Sequence, residues 1–474
     1  MKLLLLNPPI TRLERYGADI GNIAGSQMPL GISYLAAFLN KHGFTCDILD
    51  AEHENLSHQA VISGLGESAP DIIGITSATA AIQSAVKLAR NIKEAYPEKK
   101  IIIGGPHISA LPAETMKEKA FDVGVIGEGE LTFLELAGAI AEGGGLDGIQ
   151  GIVYKKGRDI RINQPRPRME NLDILPPPVR HEFKKKSYSP PLGSYRRIPV
   201  YNIITSRGCP YNCIFCDKSV FGSQYRAHSP EYVVSEIEEL IGRYGAREIA
   251  VLDDDFTLDK NRLFGILGLL KKRRIRVEWS CMARPDPRNI DLLKYMREAG
   301  CWHLSIGIES ADSKILDSLG KGTSREGVMS FIKAAKKAGF KIKGFLVLGN
   351  PGETKESIEE TISFVRTIGI DDICATLTTP FPGSRLYREG KRYGNIAHEK
   401  WEKYTCWEAV FVPRGLSPDF IRESQHSLYK KFYTNPRIIF GHVANIKTLH
   451  SLKKYAYTLF KTIPFLRKTY VGIK

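Results

Sequence analysis

Three of the eight cysteines in this 474-residue chain lie close together, as Cys209, Cys213 and Cys216. Cysteine thiolates bind both iron–sulfur clusters and structural zinc. An all-cysteine 4Fe-4S cluster takes four thiolates, so a set of three leaves one iron without a protein ligand. With a distant histidine or cysteine, the same three would instead make a tetrahedral zinc site. The spacing therefore predicts a metal centre, with an open cluster and zinc as the alternatives.

The missing ligand of an open cluster has a chemical use. An iron without a protein ligand can be chelated by the amino and carboxylate groups of S-adenosylmethionine, which places the sulfonium beside the cluster for one-electron cleavage. The motif directly follows a predicted strand, and the aromatic Phe215 precedes its last cysteine. Both features favour the cluster over zinc.

The chain around the motif must supply the other ligand-binding groups. From Val200 to Thr378, short apolar runs alternate with helical patterns in about six β/α units, which predicts a partial (β/α)6 barrel of the TIM type. In such barrels the chemistry lies at the carboxyl ends of the strands. The predicted strand ends carry Asp254, Arg284, Ser305 and Glu309.

Three of these polar residues have two explanations each. Asp254 could meet an ammonium group, or it could belong to a solvated acidic loop that caps a helix. Arg284 could pair with a carboxylate ligand or form a surface salt bridge. Glu309 could lie near a ligand or be a buried structural carboxylate. The sequence leaves these alternatives open.

Residues 1–150 form an earlier α/β series. Apolar runs such as Leu3–Leu6, Ile72–Ile75 and Ile101–Ile103 alternate with helical patterns, which predicts a doubly wound, Rossmann-like parallel sheet. Ligands of these sheets bind at the carboxyl ends of the strands, where glycines let the backbone approach closely. We therefore expect a second binding site in this domain.

The rest of the chain divides into a linker and a tail. Residues 151–196 are rich in proline and basic residues and are predicted to link the first domain to a barrel domain at 197–400. Residues 401–474 are predicted to be a basic, mostly helical extension. Residues 422–474 contain eleven Lys or Arg and one acid, Glu423, so they carry +10 of the net charge of +15.

The basic tail could contact one of three surfaces: anionic lipid, the barrel of the same chain, or RNA. Its cations alternate with aromatic and aliphatic residues, which favours a helix lying on anionic lipid. Packing of the tail on the barrel explains the pattern equally well. RNA is disfavoured, because no RNA-binding module accompanies the charge. The amino terminus lacks a signal peptide and no apolar run reaches membrane-span length, so we expect a cytoplasmic protein with peripheral membrane contact as an option.

The cysteine motif, written C-x-x-x-C-x-aromatic-C, resembles that of the radical S-adenosylmethionine superfamily over residues 196–400. The resemblance implies a 4Fe-4S cluster on the three cysteines. It also implies S-adenosylmethionine contacts from Phe215, Asp254, Arg284, Ser305 and Glu309.

Segments of the first domain resemble the cobalamin-binding domain of one branch of that superfamily, which includes class B methylases and anaerobic magnesium-protoporphyrin ester cyclases. These segments are 28–36, 104–107 and 127–130. The resemblance implies cobalamin contacts from Gly31, Ser77, Gly104, Gly105, His107, Gly127 and Glu128. The D-x-H-x-x-G motif that supplies a histidine to cobalt is absent, so His107 is expected to be a loop or pocket residue rather than a cobalt ligand.

The resemblance also implies a reaction. The expected enzyme generates a 5′-deoxyadenosyl radical and, with cobalamin, methylates an unactivated carbon of a small hydrophobic substrate. Cyclisation or rearrangement of a tetrapyrrole or lipid is the first alternative, and a non-catalytic sensor or scaffold is the second. An electron donor such as flavodoxin or ferredoxin is expected. No residue is assigned as a catalytic acid or base.

Overall fold

Two β-sheets, one mostly and one entirely parallel, follow one another along the chain in the computed structural model of this protein. It describes residues 1–16, 25–180, 188, 190–191, 193–398 and 400–443. In these ranges no helix is both long and apolar enough to cross a membrane.

The first sheet has seven strands in the order β2-β1-β3-β4-β5-β6-β7. The strands are β1 Lys2–Asn7, β2 Thr45–Asp50, β3 Ile72–Thr76, β4 Lys100–Gly104, β5 Val123–Val125, β6 Ile152–Lys156 and β7 Asp159–Ile162. The first five are mutually parallel. The four leucines of β1 are all buried, as expected for a central strand covered by helices on both faces. The predicted doubly wound sheet is confirmed.

Helices cover both faces of this sheet. They are α1 Arg12–Tyr16, α2 Leu30–Lys41, α3 His58–Ser68, α4 Ile82–Ala95, α5 Pro106–Ala110, α6 Pro112–Thr115 and α7 Glu130–Glu142. Helix α4 buries Ile82, Ala85, Leu88, Ala89 and Ile92. This spacing places the five side chains in one apolar stripe along the helix. Two apolar cores result, one on each side of the sheet.

Strands β6 and β7 correct one prediction. The sequence assigned residues 151–196 to a linker, whereas β6 pairs antiparallel with β5 and β7 pairs antiparallel with β6. The Val153 side chain is fully buried against the first domain. Burial of this apolar hairpin gives a physical reason for the sheet to continue past residue 150, and the proline-rich stretch begins only after β7.

The second sheet has six parallel strands in the order β15-β14-β13-β12-β11-β8. They are β8 Val200–Ile203, β11 Glu248–Val251, β12 Glu278–Ala283, β13 Cys301–Glu309, β14 Lys341–Leu348 and β15 Asp372–Leu377. Two short antiparallel pairs accompany them, β9 Ser206–Arg207 with β10 Arg226–Ala227, and β16 Gly394–Ile396 with β17 Phe411–Pro413. Because β8 and β15 do not pair with each other, the predicted partial barrel is confirmed.

The helices of the barrel domain follow the predicted periodicity. They are α8 Pro230–Tyr244, α9 Lys260–Lys272, α10 Ile290–Glu298, α11 Ser313–Ser318, α12 Arg325–Lys337, α13 Lys355–Thr367, α14 Arg385–Glu389, α15 Pro418–Tyr433 and α16 Pro436–Val443. Helix α8 shows why the boundaries were readable. The Ser229 side chain caps its first turn, and Gly245, with φ of 68°, ends it.

The start of the basic tail packs on the barrel. The Gln425 amide donates to the Ala375 carbonyl at 2.8 Å, and the Ala375 amide donates to the Tyr429 hydroxyl at 2.9 Å. Helix α15 thus covers the edge strand β15. Phe440, on α16, is 73% exposed. Residues 444–474, which hold most of the predicted lipid-binding cations, lie outside the described residues.

Candidate functional site

The carboxyl ends of both sheets border one cavity of about 600 Å³. The first domain contributes loops 104–106 and 127–130 and the start of α2. The barrel domain contributes the cysteine loop and the ends of β12 and β13. The two binding sites predicted separately from sequence therefore border the same cavity.

The three cysteines all line this cavity. A hydrogen bond from the Cys216 thiol lowers the pKa of Cys213, and the nearby cations Lys321 and Arg284 lower it further. Burial raises the pKa of Cys209, and the hydrogen bond to Cys213 together with burial raises that of Cys216. Iron binds the thiolate form, so the surroundings favour that form at Cys213 alone. Within the described ranges, no three His, Cys, Asp or Glu side chains form a site for a single metal ion. The thiolates of a cluster bind separate irons and need not meet at one point.

Asp254 is the one member of the Asp253–Asp255 run that faces the cavity. The Asp253 carboxylate accepts from the backbone N–H and hydroxyl of Thr205, both at 2.6 Å, and Asp255 accepts from the Thr257 hydroxyl at 2.8 Å. Burial and these two neighbouring carboxylates raise the pKa of Asp254. Asp259, not Asp254, caps the following helix. An ammonium group beside Asp254 would offset the cost of its charge.

Arg284 is buried, with 8% of its surface exposed, and the surface salt bridge considered for it is not formed. Its guanidinium lies 3.6 Å from the centre of the Tyr211 ring, and Nη1 lies 3.9 Å from the Cys213 sulfur. Nη2 is buried without a hydrogen-bond partner. An unsatisfied guanidinium nitrogen beside the cysteines fits a carboxylate ligand.

Ser305 and Glu309 both line the cavity from β13. The Glu309 carboxylate pairs with Lys321 at 2.5 Å, and its backbone adopts a φ of 63°, which is rare outside glycine. Glu309 is thus a buried, charge-compensated carboxylate, as the second alternative stated, and it also borders the cavity. Sequence reasoning missed Lys321, because the two residues meet only through the return of the chain after α11.

Phe215 contributes to an apolar wall of the cavity. Other large apolar members include Leu35, Phe133, Phe221 and Phe345. These side chains come from both domains and give the space a largely hydrophobic lining between the polar groups near the cysteines and the glycine loops.

Glycines of the first domain form an open cradle. Gly31, Gly104, Gly105 and Gly127 line the cavity. A Cβ added to Gly31 or Gly104 would meet no atom within 4 Å, so a side chain there would project into free space. Gly105 and Gly127 have φ of 98° and 77°, which only glycine adopts readily. This cradle fits a large flat ligand such as cobalamin.

Ser77 and His107 do not line the cavity, although both were predicted as cobalamin contacts. The Ser77 amide donates to the Gly104 carbonyl at 2.9 Å, which fixes the glycine turn. His107 is 2% exposed and lies edge-on to Trp401 at 5.3 Å, and burial lowers its pKa to about 4. The structure gives both residues supporting positions behind the loop.

Glu128 lines the cavity, but its carboxylate is held by arginines of the barrel domain. Arg226 contacts it at 2.8 Å, and Arg207 lies 3.4 Å away. Arg207 also pairs with Glu130 at 2.6 Å. Burial raises the pKa of Glu130, but Arg207, a backbone hydrogen bond and Arg226 together outweigh that effect, so the pKa is lowered. Sequence reasoning did not single out Glu130, Arg207 or Arg226.

Two family models match this chain. The radical SAM superfamily model matches residues 203–365, and the B12 binding domain model matches residues 17–137. An uncharacterized methyltransferase of Pyrococcus horikoshii is 35% identical over 444 residues, covering 93% of this chain and 94% of the relative. The anaerobic magnesium-protoporphyrin IX monomethyl ester cyclase of Rubrivivax gelatinosus is 29% identical, covering 92% of this chain and 78% of the relative.

A solved structure has the same fold along nearly the whole chain. The radical S-adenosylmethionine methyltransferase TsrM from Kitasatospora setae, with cobalamin and a 4Fe-4S cluster bound, superposes with a TM-score of 0.71 at 17% identity. The match covers 98% of this chain and 100% of that one. At this identity the likeness shows a common architecture.

Proposed function

Because this chain belongs to the radical S-adenosylmethionine superfamily, in the branch with an N-terminal cobalamin-binding domain, we propose that it methylates an unactivated carbon of a small hydrophobic substrate. It is an enzyme whose cofactors are a 4Fe-4S cluster, S-adenosylmethionine and cobalamin. When bound, the cluster supplies the electron that cleaves S-adenosylmethionine, and cobalamin supplies a carrier for the methyl group.

The shared cavity carries this proposal. The three cysteines and the glycine cradle line the same cavity of about 600 Å³, with Phe215 and Phe345 among its walls. A substrate held there would contact the cluster side and the cobalamin side together. Methyl transfer to a carbon that must first lose hydrogen requires such access from two sides.

The polar residues around the cysteines have separate tasks. We propose that Asp254 binds the amino group of S-adenosylmethionine and that Arg284 binds its carboxylate. Ser305 and the paired Glu309 line the same cavity from the next strand, β13, and we propose that they contact the same ligand. The apolar side chains exclude water, which protects a radical reaction from quenching by solvent.

Cyclisation or rearrangement without methyl transfer remains the second candidate. The relative from Rubrivivax gelatinosus, a cyclase, supports it over 92% of this chain. The binding-only alternatives, a sensor or a scaffold, lose support because these relatives are enzymes. Both enzymatic candidates need the same cleavage of S-adenosylmethionine and differ in the fate of the methyl group.

Product analysis separates these candidates. The protein is reconstituted anaerobically with iron, sulfide and hydroxocobalamin, reduced chemically, and given S-adenosylmethionine with a deuterated methyl group and a cell extract. Methylation predicts 5′-deoxyadenosine, S-adenosylhomocysteine and a deuterated product. Cyclisation predicts 5′-deoxyadenosine without cobalamin-dependent S-adenosylhomocysteine. If a cluster-loaded protein forms neither 5′-deoxyadenosine nor S-adenosylhomocysteine, both candidate functions are overturned.

Two cysteine variants control this experiment. Cys213→Ala removes a cluster ligand and should abolish both products together with part of the bound iron. Cys46→Ala removes a buried cysteine of the first domain that is 2% exposed and does not line the cavity. Iron content and products of that variant should match the wild type.

We also propose two partners. A small one-electron donor such as flavodoxin or ferredoxin would reduce the cluster, since the reaction consumes an electron. Peripheral contact with anionic membranes would use the carboxyl-terminal end, where Ile439, Phe440 and Val443 are exposed on α16 next to the basic residues 444–474. Exposed apolar side chains beside cations are what interfacial binding requires.

A further inference from the structure

Four buried charges join the first domain to the base of the cysteine loop. They are Glu128 and Glu130 of the first domain and Arg207 and Arg226 of the barrel domain, here called the interdomain clamp. Each of the four side chains is at most 8% exposed. Buried charges are retained only when they are paired, so this cluster fixes the relative positions of its members.

The arginines of the clamp sit at the neck of the cysteine loop. Strands β9 and β10 pair there, with Arg207 directly opposite Arg226. Cys209 follows Arg207 by two residues. Between them, Gly208 has a φ of 82°, and a Cβ there would lie 2.1 Å from the Gln224 carbonyl oxygen. A shift of the neck would therefore pass directly to the first cluster ligand.

The carboxylates of the clamp sit in the glycine cradle. Glu128 and Glu130 alternate with Gly127 and Gly129, all of which line the cavity, and Glu130 is the first residue of α7. A second contact exists at the tip of the cysteine loop, where the Ser219 hydroxyl donates to the Pro106 carbonyl at 3.3 Å. Both loops of the cradle thus touch the cysteine loop.

We propose that the interdomain clamp couples the two cofactor sites, so that cobalamin bound in the cradle raises the affinity of the cluster-loaded enzyme for S-adenosylmethionine. The cradle loops lose freedom when cobalamin fills the space in front of them, and the clamp transmits that restraint to the neck. Glu130 and Arg207 are positioning residues in this scheme. The inference rests on the proposed function for its cofactors only, because it concerns binding rather than turnover.

Coupling of this kind is reciprocal. If cobalamin lowers the dissociation constant of S-adenosylmethionine by some factor, S-adenosylmethionine must lower that of cobalamin by the same factor. We expect a factor of about 5 or more in the wild type, the lower end of measured site-to-site couplings. Agreement of the two factors provides an internal check that does not depend on activity.

The test compares two isosteric variants after reconstitution with iron and sulfide. Glu130→Gln weakens the clamp, because it removes the charge that pairs with Arg207 at 2.6 Å and leaves Arg207 with its longer contact, 3.4 Å, to Glu128. Glu236→Gln breaks a matched pair, Arg180 with Glu236, which is also 2.6 Å long and buried but lies away from the cavity. Equilibrium dialysis gives both dissociation constants, each with and without the other ligand, alongside the iron content.

If the clamp carries the coupling, the factor by which cobalamin lowers the dissociation constant of S-adenosylmethionine falls towards 1 in Glu130→Gln. The same factor stays at the wild-type value in Glu236→Gln. A factor that is unchanged in Glu130→Gln, or equal to 1 in the wild type, would overturn the inference while leaving the proposed function intact. Failure of the wild type to bind cobalamin would overturn both. If Glu130→Gln does not hold its iron, Arg226→Lys serves instead, because it keeps the charge but loses the two-point contact with Glu128.

Discussion

Lys321 and Glu309 form a buried ion pair beside the cysteines, with 2.5 Å between Nζ and Oε1. Their side chains are 8% and 7% exposed, and both border the cavity. The pair holds Glu309 at the end of β13 in a backbone conformation that is rare for a residue with a side chain. A charge in this position must be compensated, and Lys321 compensates it.

Removal of one partner should therefore destabilise the protein. Lys321→Met leaves the Glu309 carboxylate buried and unpaired, which is expected to lower the free energy of unfolding by about 3 kcal/mol. Urea unfolding of the cofactor-free protein measures this value. The double variant Lys321→Met/Glu309→Leu removes both charges and should recover part of the loss. A double variant less stable than Lys321→Met would contradict the explanation.

Arg284 provides a second prediction. Arg284→Gln should weaken S-adenosylmethionine binding to the reconstituted enzyme about tenfold, since a charge-assisted hydrogen bond contributes about 1.5 kcal/mol or more. Equilibrium dialysis measures the change. Arg288→Gln is the matched control, because the Arg288 side chain is 79% exposed and pairs with Asp286 in the same loop. Equal effects of the two substitutions would argue against a carboxylate contact at Arg284.

Gly208 tests the geometry of the cysteine loop. Gly208→Ala would place a methyl group 2.1 Å from the Gln224 carbonyl oxygen in a backbone of positive φ. The loop must then shift, and bound iron per chain should fall well below that of the wild type. Gly242→Ala, in the last turn of α8 with no atom within 4 Å of the new methyl group, should keep its iron. Normal iron content in Gly208→Ala would show that the neck tolerates movement.

His107 should make stability depend on pH. Its folded pKa is about 4, below the ordinary value near 6.5, so the unfolded chain binds a proton first. The stability contributed by neutral His107 is present above about pH 6.5 and is lost as the pH falls towards 4, by about 3 kcal/mol at most. Urea unfolding at pH 7 and pH 4.5 should show a smaller loss in His107→Gln than in the wild type. Equal losses would place the acid sensitivity elsewhere.

Phe440 tests the membrane proposal. Phe440→Ser removes the most exposed apolar side chain of α16 without disturbing the buried Ile438. Sedimentation with vesicles rich in phosphatidylserine should fall, and vesicles of phosphatidylcholine alone should bind both proteins weakly. Met329→Ser, at a 48% exposed position of the barrel, is the control and should bind as the wild type does. Unchanged sedimentation of Phe440→Ser would speak against a role of α16.

Local patterns determined most of the architecture in advance. Buried leucines in β1, the serine cap before α8 and the alternation of strands with helices are encoded within a few residues, so the two α/β units and the cysteine motif could be read from the sequence. The hairpin β6–β7 was missed, because proline-rich and basic surroundings hid two short strands whose pairing partner lies in the first sheet.

The joining of the two sites was decided only by the tertiary structure. Sequence indicated the glycine cradle and the cysteines, but nothing in either motif states that Glu130 meets Arg207 across 77 positions or that Lys321 returns to Glu309. His107, Ser77 and Gly104 were all predicted as cobalamin contacts, yet only Gly104 of the three lines the cavity in the folded protein. Sequence spacing determines which side chains can meet within one helix, strand or loop. Burial and charge compensation between the domains depend instead on how the two domains pack against each other.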